Sequence, residues 1–273
     1  MSKLDRRRVA RSVLGLLLVW SGVQTVRAQQ DTGLDPDCLE MLELGNAAAR
    51  AGKFDLAIAS FQKVLDNLDP DSPGAGDLHL RIGETYRRKG DAEAAIASLT
   101  RASELLPDQP VVLGTLALVL DGCGKKEEAE RAYRATLRLD PDNAIAMNNL
   151  AFLLAERDED LDQALELARR AGELMPEDAD MVDTAGWIQW KRRQTDAAIA
   201  LFADALGKMP GNEGYRKHLL LALEAKAGRS AAMDELKSLL LVSELSPARM
   251  EKVLELLSGV RASLQEVSVA RPR

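Results

Sequence analysis

Along this chain, an alanine is followed four residues later by an aromatic residue or a leucine, again and again. Ala57 and Phe61, Ala95 and Leu99, Ala129 and Tyr133, and Ala198 and Phe202 are such pairs. With Ala164 and Ala232 added, the alanines recur at steps of 38, 34, 35, 34 and 34 residues. Twelve residues before most of them stands a small residue, Gly45, Gly83, Ala117 or Gly186; Ala151 lies one place further back and Leu220 is the exception. Twelve residues after four of them stands a proline: Pro107, Pro141, Pro176 and Pro210. Between the first two marks lies a turn containing Gly52, Gly90 or Gly124. The pattern predicts two helices per repeat. Small residues let the first (helix A) and the second (helix B) approach closely. The aromatic or leucine fills the space between repeats, and proline sets the turn into the next helix A. Each half-repeat of about 14 residues makes a helix of roughly 21 Å.

These marks resemble the tetratricopeptide repeat, whose units are pairs of antiparallel helices, and the resemblance covers roughly residues 38 to 242. It implies an all-α chain, a tetratricopeptide repeat solenoid wound as a right-handed superhelix. About six units are expected, at 38–75, 76–109, 110–143, 144–178, 179–212 and 213–245, the first with a loop four residues longer within Asp69 to Gly74. Ser246 and Pro247 form a helix start, and Met250, Val253, Leu254 and Leu257 follow as an apolar stripe. Residues 246–265 are therefore expected to be a capping helix over the last apolar face. Residues 29–37 and 266–273 are expected to be a disordered linker and tail.

The start of the chain reads differently. Lys3, Arg6, Arg7, Arg8 and Arg11 precede a mostly apolar stretch from Val13 to Val26, and Val26-Arg27-Ala28 follows. This is the pattern of a secretory signal peptide, 1–28, cleaved between Ala28 and Gln29, with an apolar core too short to span a bilayer comfortably. The expected location is periplasmic or secreted, with no integral membrane segment after processing. An uncleaved segment anchored to the inner membrane is the alternative.

Removing residues 1–28 changes the charge. The whole chain carries a net −7, and the remainder, with 30 basic and 42 acidic side chains, carries −12. Such a surface repels phosphate backbones, so nucleic acid is not an expected partner. No catalytic constellation appears. His79 and His218, the two histidines, have no Cys/His neighbours to bind zinc. Gly122-Cys123-Gly124-Lys125-Lys126 lacks the hydroxyl and first glycine of a phosphate loop. Asp158 to Asp162 has carboxylates where a calcium loop begins, but Gln163 and Arg169 stand where glycine and glutamate are needed. Neither a cofactor nor a metal is expected, and the chain is not read as an enzyme. Cys38 and Cys123, two units apart in helix A, are too distant to bridge and are left as free thiols or an intermolecular link.

In tetratricopeptide arrays helix A lines the concave surface, so the resemblance implies which side chains meet a partner. These are Arg87 and Arg88 in the second unit, Asn148, Asn149 and Phe152 in the fourth, and Asp183, Thr184, Trp187, Trp190 and Lys191 in the fifth. Tryptophans three apart on a helix point the same way, and an aromatic patch rimmed by polar groups has the composition of a binding surface. Trp187 either binds or braces the array against the next helix A. The clamp for C-terminal carboxylates is not matched, because Leu42 stands where its lysine should be. The stretch Asn149 to Ala155, followed by Asp183 to Trp187, resembles a block of exported bacterial tetratricopeptide proteins, some working in exopolysaccharide export. The expected function is a non-catalytic scaffold that binds a protein or peptide partner in its concave groove. The alternative is a homo-oligomer, self-assembling as a structural envelope component.

Overall fold

The computed structural model describes residues 35–227, and these are helical throughout, with short turns between helices. Eleven helices follow one another: α1 (Pro36–Arg50), α2 (Phe54–Leu65), α3 (Pro73–Lys89), α4 (Ala92–Leu105), α5 (Pro110–Gly122), α6 (Lys126–Leu139), α7 (Ala144–Glu156), α8 (Leu161–Leu174), α9 (Ala179–Lys191), α10 (Thr195–Lys208) and α11 (Glu213–Ala227). Odd-numbered helices are the A helices of the repeat and even-numbered ones the B helices. The second helix of the sixth unit, the capping helix, the tail and the signal segment lie outside the described residues.

Two compact bodies divide the chain, with the boundary between Leu174 and Met175. In the first, each A helix packs on its own B helix, and each B helix packs on the next A helix. In the second, α9 packs on α10, α10 on α11, and α9 also touches α11. This is the nearest-neighbour packing of an α-solenoid.

The periodic residues sit where close packing demands them. Ala57, Ala95, Ala129, Ala164 and Ala198 are all 0% exposed. Phe61, Leu99, Tyr133 and Phe202 are as deeply buried, and Ala168 takes the same place in the fourth unit. At the small-residue mark the fit is tight. A Cβ on Gly186 would fall 2.7 Å from the Phe202 ring, closer than carbon atoms approach.

Local chemistry fixes the ends. Side chains of Asp35, Ser72, Asp91, Asn143 and Asp178 accept hydrogen bonds from backbone N–H groups in the first turns of α1, α3, α4, α7 and α9. The A-to-B turns need one residue with positive φ. Gly52, Gly90 and Gly124 supply it in the first three units, whereas Asp158 (φ 54°) and Arg193 (φ 63°) supply it in the fourth and fifth. Basic side chains clasp the turns between units. Arg101 Nη2 donates to the Pro70 carbonyl at 3.1 Å, Arg170 Nη2 to Pro141 at 3.2 Å and Lys208 Nζ to Pro176 at 3.2 Å.

Three boundaries differ from expectation. Helix α1 begins at Pro36, inside the stretch read as a disordered linker, because Asp35 caps it and its Oδ1 accepts from Cys38 N at 2.8 Å. Helix α3 begins at Pro73, so part of the long first connection is helix instead of loop. Cys123 is the C-cap of α5 and not a residue within the helix. Both cysteines are free, Cys38 buried and Cys123 exposed.

Candidate protein-binding surface

The residues expected to meet a partner fall on three A helices. On α3, Arg87 is committed to its own helix: its Nε and Nη2 donate to the two carboxylate oxygens of Glu84 at 2.8 and 2.6 Å. Arg88 is exposed, and its guanidinium carbon lies 5.3 Å from the centroid of the Phe54 ring, a cation–π contact. Deeper on the same helix, Arg81 Nη1 donates to Asn46 Oδ1 at 2.9 Å. Burial lowers the Arg81 pKa, and Asp77 works against that shift.

On α7 the amides behave differently. Asn148 is buried, and Asn149 and Phe152 are half-buried. Asn148 Oδ1 and Asn149 Nδ2 are enclosed and have no hydrogen-bond partner among the described residues. An enclosed amide atom without a partner costs about 1–3 kcal/mol.

Beside α7 lies a feature that sequence reasoning missed. A small cavity is lined by Pro110, Val111, Gly114 and Leu118 of α5, by Ile145 and Ala146 of α7 with its N-cap Asn143, and by Tyr133 of α6. The Tyr133 side chain is fully buried, and its hydroxyl has no hydrogen-bond partner among the described residues. Burial pushes the phenol pKa well above its ordinary value, and the charge of Asp121 adds to the effect. In the repeat pattern Tyr133 is a packing ring, and its extra oxygen is the one available signal.

On α9, Asp183 and Thr184 are 0% and 1% exposed, so the structure places both inside and not on an open face. The reason is α11. His218 Nδ1 lies 2.9 and 3.1 Å from the two Asp183 oxygens, a hydrogen bond that joins the two helices. One turn away, Tyr215 donates to Asp180 Oδ1 at 2.5 Å. His218 is thus, with Tyr215, a cross-link between two A helices.

Its ring also stacks, 4.9 Å from Trp187 and 5.3 Å from Phe202 between centroids. Trp187 and Trp190 are half-buried and pack against Ala198, Ile199, Phe202, Leu219, Ala222 and Leu223. Lys191 Nζ lies 5.7 Å from the Trp187 ring centroid. Trp187 therefore braces the body it belongs to, while its partial exposure leaves an edge open.

Among the described residues, no group of three or more His, Cys, Asp or Glu side chains is placed to hold a metal ion. No described helix is long and apolar enough to cross a membrane. Asp160 serves instead as a helix start, its Oδ1 accepting from Gln163 N at 3.1 Å.

The repeat seen in both bodies is matched by the family described as tetratricopeptide repeat, at residues 37–108 and again at 115–181, together just over half of the chain. The chain belongs to the tetratricopeptide repeat family. Such repeats are typically non-catalytic scaffolds, and their proteins generally mediate protein–protein interactions.

Among curated proteins, the chain is similar to a TPR repeat-containing protein of Pseudomonas aeruginosa, 27% identical over 164 residues. That alignment covers 60% of this chain and 27% of the relative, so this tetratricopeptide chain spans about a quarter of that protein's length. Among solved structures, a tetratricopeptide repeat protein from Parabacteroides merdae aligns with a TM-score of 0.67 at 16% identity, covering 84% of this chain and 88% of that one. YrrB, a TPR protein with an unusual peptide-binding site, aligns with a TM-score of 0.55 at 20% identity, covering 75% of this chain and 98% of its own. At these identities the two structures speak for the fold.

Proposed function

We propose that this tetratricopeptide array is a non-catalytic scaffold of the bacterial envelope, holding a peptide segment or partner domain against its A helices in exopolysaccharide export or envelope assembly. The observation that carries the binding reading is the amide pair of α7. Asn148 Oδ1 and Asn149 Nδ2 are enclosed without partners, next to the half-buried Phe152 ring. An extended chain brings one acceptor and one donor per residue, the complement of one amide oxygen and one amide nitrogen. An aromatic ring on the next turn of the same helix adds the apolar contact that anchors an interface. Fold alone does not fix the task, though YrrB is an instance of the fold with a peptide-binding site.

The envelope reading rests on the basic and apolar residues 3–28 and on the resemblance of the Asn149–Ala155 stretch to exported relatives.

Two measurements test these parts separately. A photo-crosslinking amino acid in place of Phe152 should give a discrete adduct with a partner in the native host. The same probe in place of Arg138, exposed on a B helix, should give none. Adducts of equal strength from both positions, or from neither, sink the A-helix surface. N-terminal sequencing of the protein from its host should begin at Gln29. A retained Met1 on a cytosolic protein removes the envelope assignment and leaves the scaffold standing.

A further inference from the structure

We propose that the cavity between α5 and α7 is a subsite for a serine side chain of a bound peptide, with the Tyr133 hydroxyl as its hydrogen-bond partner and Gly114 as its open mouth. This rests on the peptide-binding reading above and adds a residue preference to it.

Size limits the occupant first. The cavity has about 10 Å³ of room for the centre of a water-sized group, close to the space of one such group. A methyl or a hydroxyl fits. A branched, long or aromatic side chain does not, and glycine leaves the space empty. Alanine and serine are the side chains that remain.

Chemistry then chooses between them. The walls contributed by Pro110, Val111, Leu118, Ile145 and Ala146 are apolar. The Asn143 amide also lines the cavity, but its Nδ2 donates to Asp140 and its Oδ1 accepts from Ala146 N, which leaves the Tyr133 hydroxyl as the lining side-chain atom without a partner among the described residues. A serine hydroxyl both donates and accepts, so it satisfies the phenol whichever way its proton points. An alanine methyl leaves the phenol enclosed and without a partner. The hydroxyl belongs to this unit alone, because Phe61, Leu99, Ala168 and Phe202 occupy the equivalent positions of the other described units.

Gly114 gives an independent reason to read the cavity as open by design. A Cβ at Gly186 or Gly83 would collide at 2.7 and 2.6 Å, so packing requires those glycines. A Cβ at Gly114 would meet only Thr136, at 3.6 and 3.8 Å, which is ordinary contact. Packing there tolerates alanine, and alanine is the better helix former. What the missing side chain does provide is access, since Gly114 lines the cavity and Val111, Gly114 and Ile145 reach the surface.

The test is selection of random peptides on the immobilised full chain, followed by binding of synthetic peptides. Wild-type protein should enrich peptides with serine at one fixed position, and changing that serine to alanine should weaken binding roughly three- to tenfold, the yield of one hydrogen bond. On Tyr133→Phe, which should fold because phenylalanine fills this place at Phe61 and Phe202, the two peptides should bind within twofold of each other. Gly114→Ala should keep or raise the melting temperature while losing the preference for any side chain at that position. Enriched peptides with no position confined to small residues overturn the subsite and leave the peptide-binding reading intact. So does a serine preference that survives Tyr133→Phe, as it would if the cavity held a resident water. Failure of every variant to enrich any sequence overturns the peptide-binding reading itself.

Discussion

Asn148 on α7 and Asp183 on α9 stand 35 residues apart, at the same position of the repeat. Both are buried. Asn148 carries an oxygen that no described residue satisfies, whereas both Asp183 oxygens lie within hydrogen-bond distance of His218 Nδ1. The same position thus serves two ends. In the second body a helix-A carboxylate is used inward, to tie α9 to α11. In the first, a helix-A amide is left with bonding capacity to spare. Burial alone does not separate a binding residue from a packing residue; the fate of its polar atoms does.

The sharpest way to break this contrast is to remove the inward partner. His218→Ala takes the ring nitrogen from a carboxyl group that is 0% exposed, and removing the hydrogen-bond partner of a buried polar group costs about 1–3 kcal/mol. Urea unfolding should show that loss. A cost below about 1 kcal/mol, the range of exposed pairs, would return Asp183 to the residues available to a ligand.

Gly186→Ala comes next. The new Cβ would press on the Phe202 ring at 2.7 Å, and overpacking costs roughly 1–3 kcal/mol. Hydrogen exchange should quicken in α9 and α10 and leave α1 to α4 untouched, because damage in a repeat array stays with its neighbours. Faster exchange across all helices would mean that the chain behaves as one core.

Asn148→Leu should move the other way. Replacing an enclosed atom that lacks a partner by an apolar group is neutral or stabilising, by up to about 1 kcal/mol. A loss above that would show that Asn148 is bonded in the free protein and belongs with Asp183. The smallest effect is at the turns, where the first body uses glycine three times and Asp158 once, and the second uses Arg193 at φ 63°. Arg193→Gly should raise stability by about 0.5 kcal/mol, the relief of a left-handed residue reduced by glycine's greater freedom when unfolded.

Most of the architecture was legible because its marks are steric. Ala57, Ala95 and Ala198 sit at helix crossings where nothing larger fits, and Pro107, Pro141, Pro176 and Pro210 stand where helix B stops. Such requirements act within one repeat, so a period of 34 residues exposes them. The start of α1 was readable by the same logic, since Asp35-Pro36 is a cap followed by a proline, as is Ser72-Pro73 before α3. The face of α9 could not be read this way. Asp183 and Thr184 have the right phase for a ligand surface, and only the residues one repeat later, Tyr215 and His218, decide that this face is covered. Tyr133 was hidden for the opposite reason. Its ring satisfies the repeat so well that the single oxygen beyond the ring carried no weight.

The packing of each helix on its immediate neighbours has a consequence for how the chain comes to be folded. In the first body a helix finds its partner across a turn of a few residues, so each contact closes a short loop and the entropy lost in closing it is small. A chain emerging from a ribosome can set α1 against α2 before α5 has been made. Each pair then offers a finished template to the next. Synthesis and folding can advance in step, and apolar helices such as α5 and α7 need wait exposed only for one helix to follow.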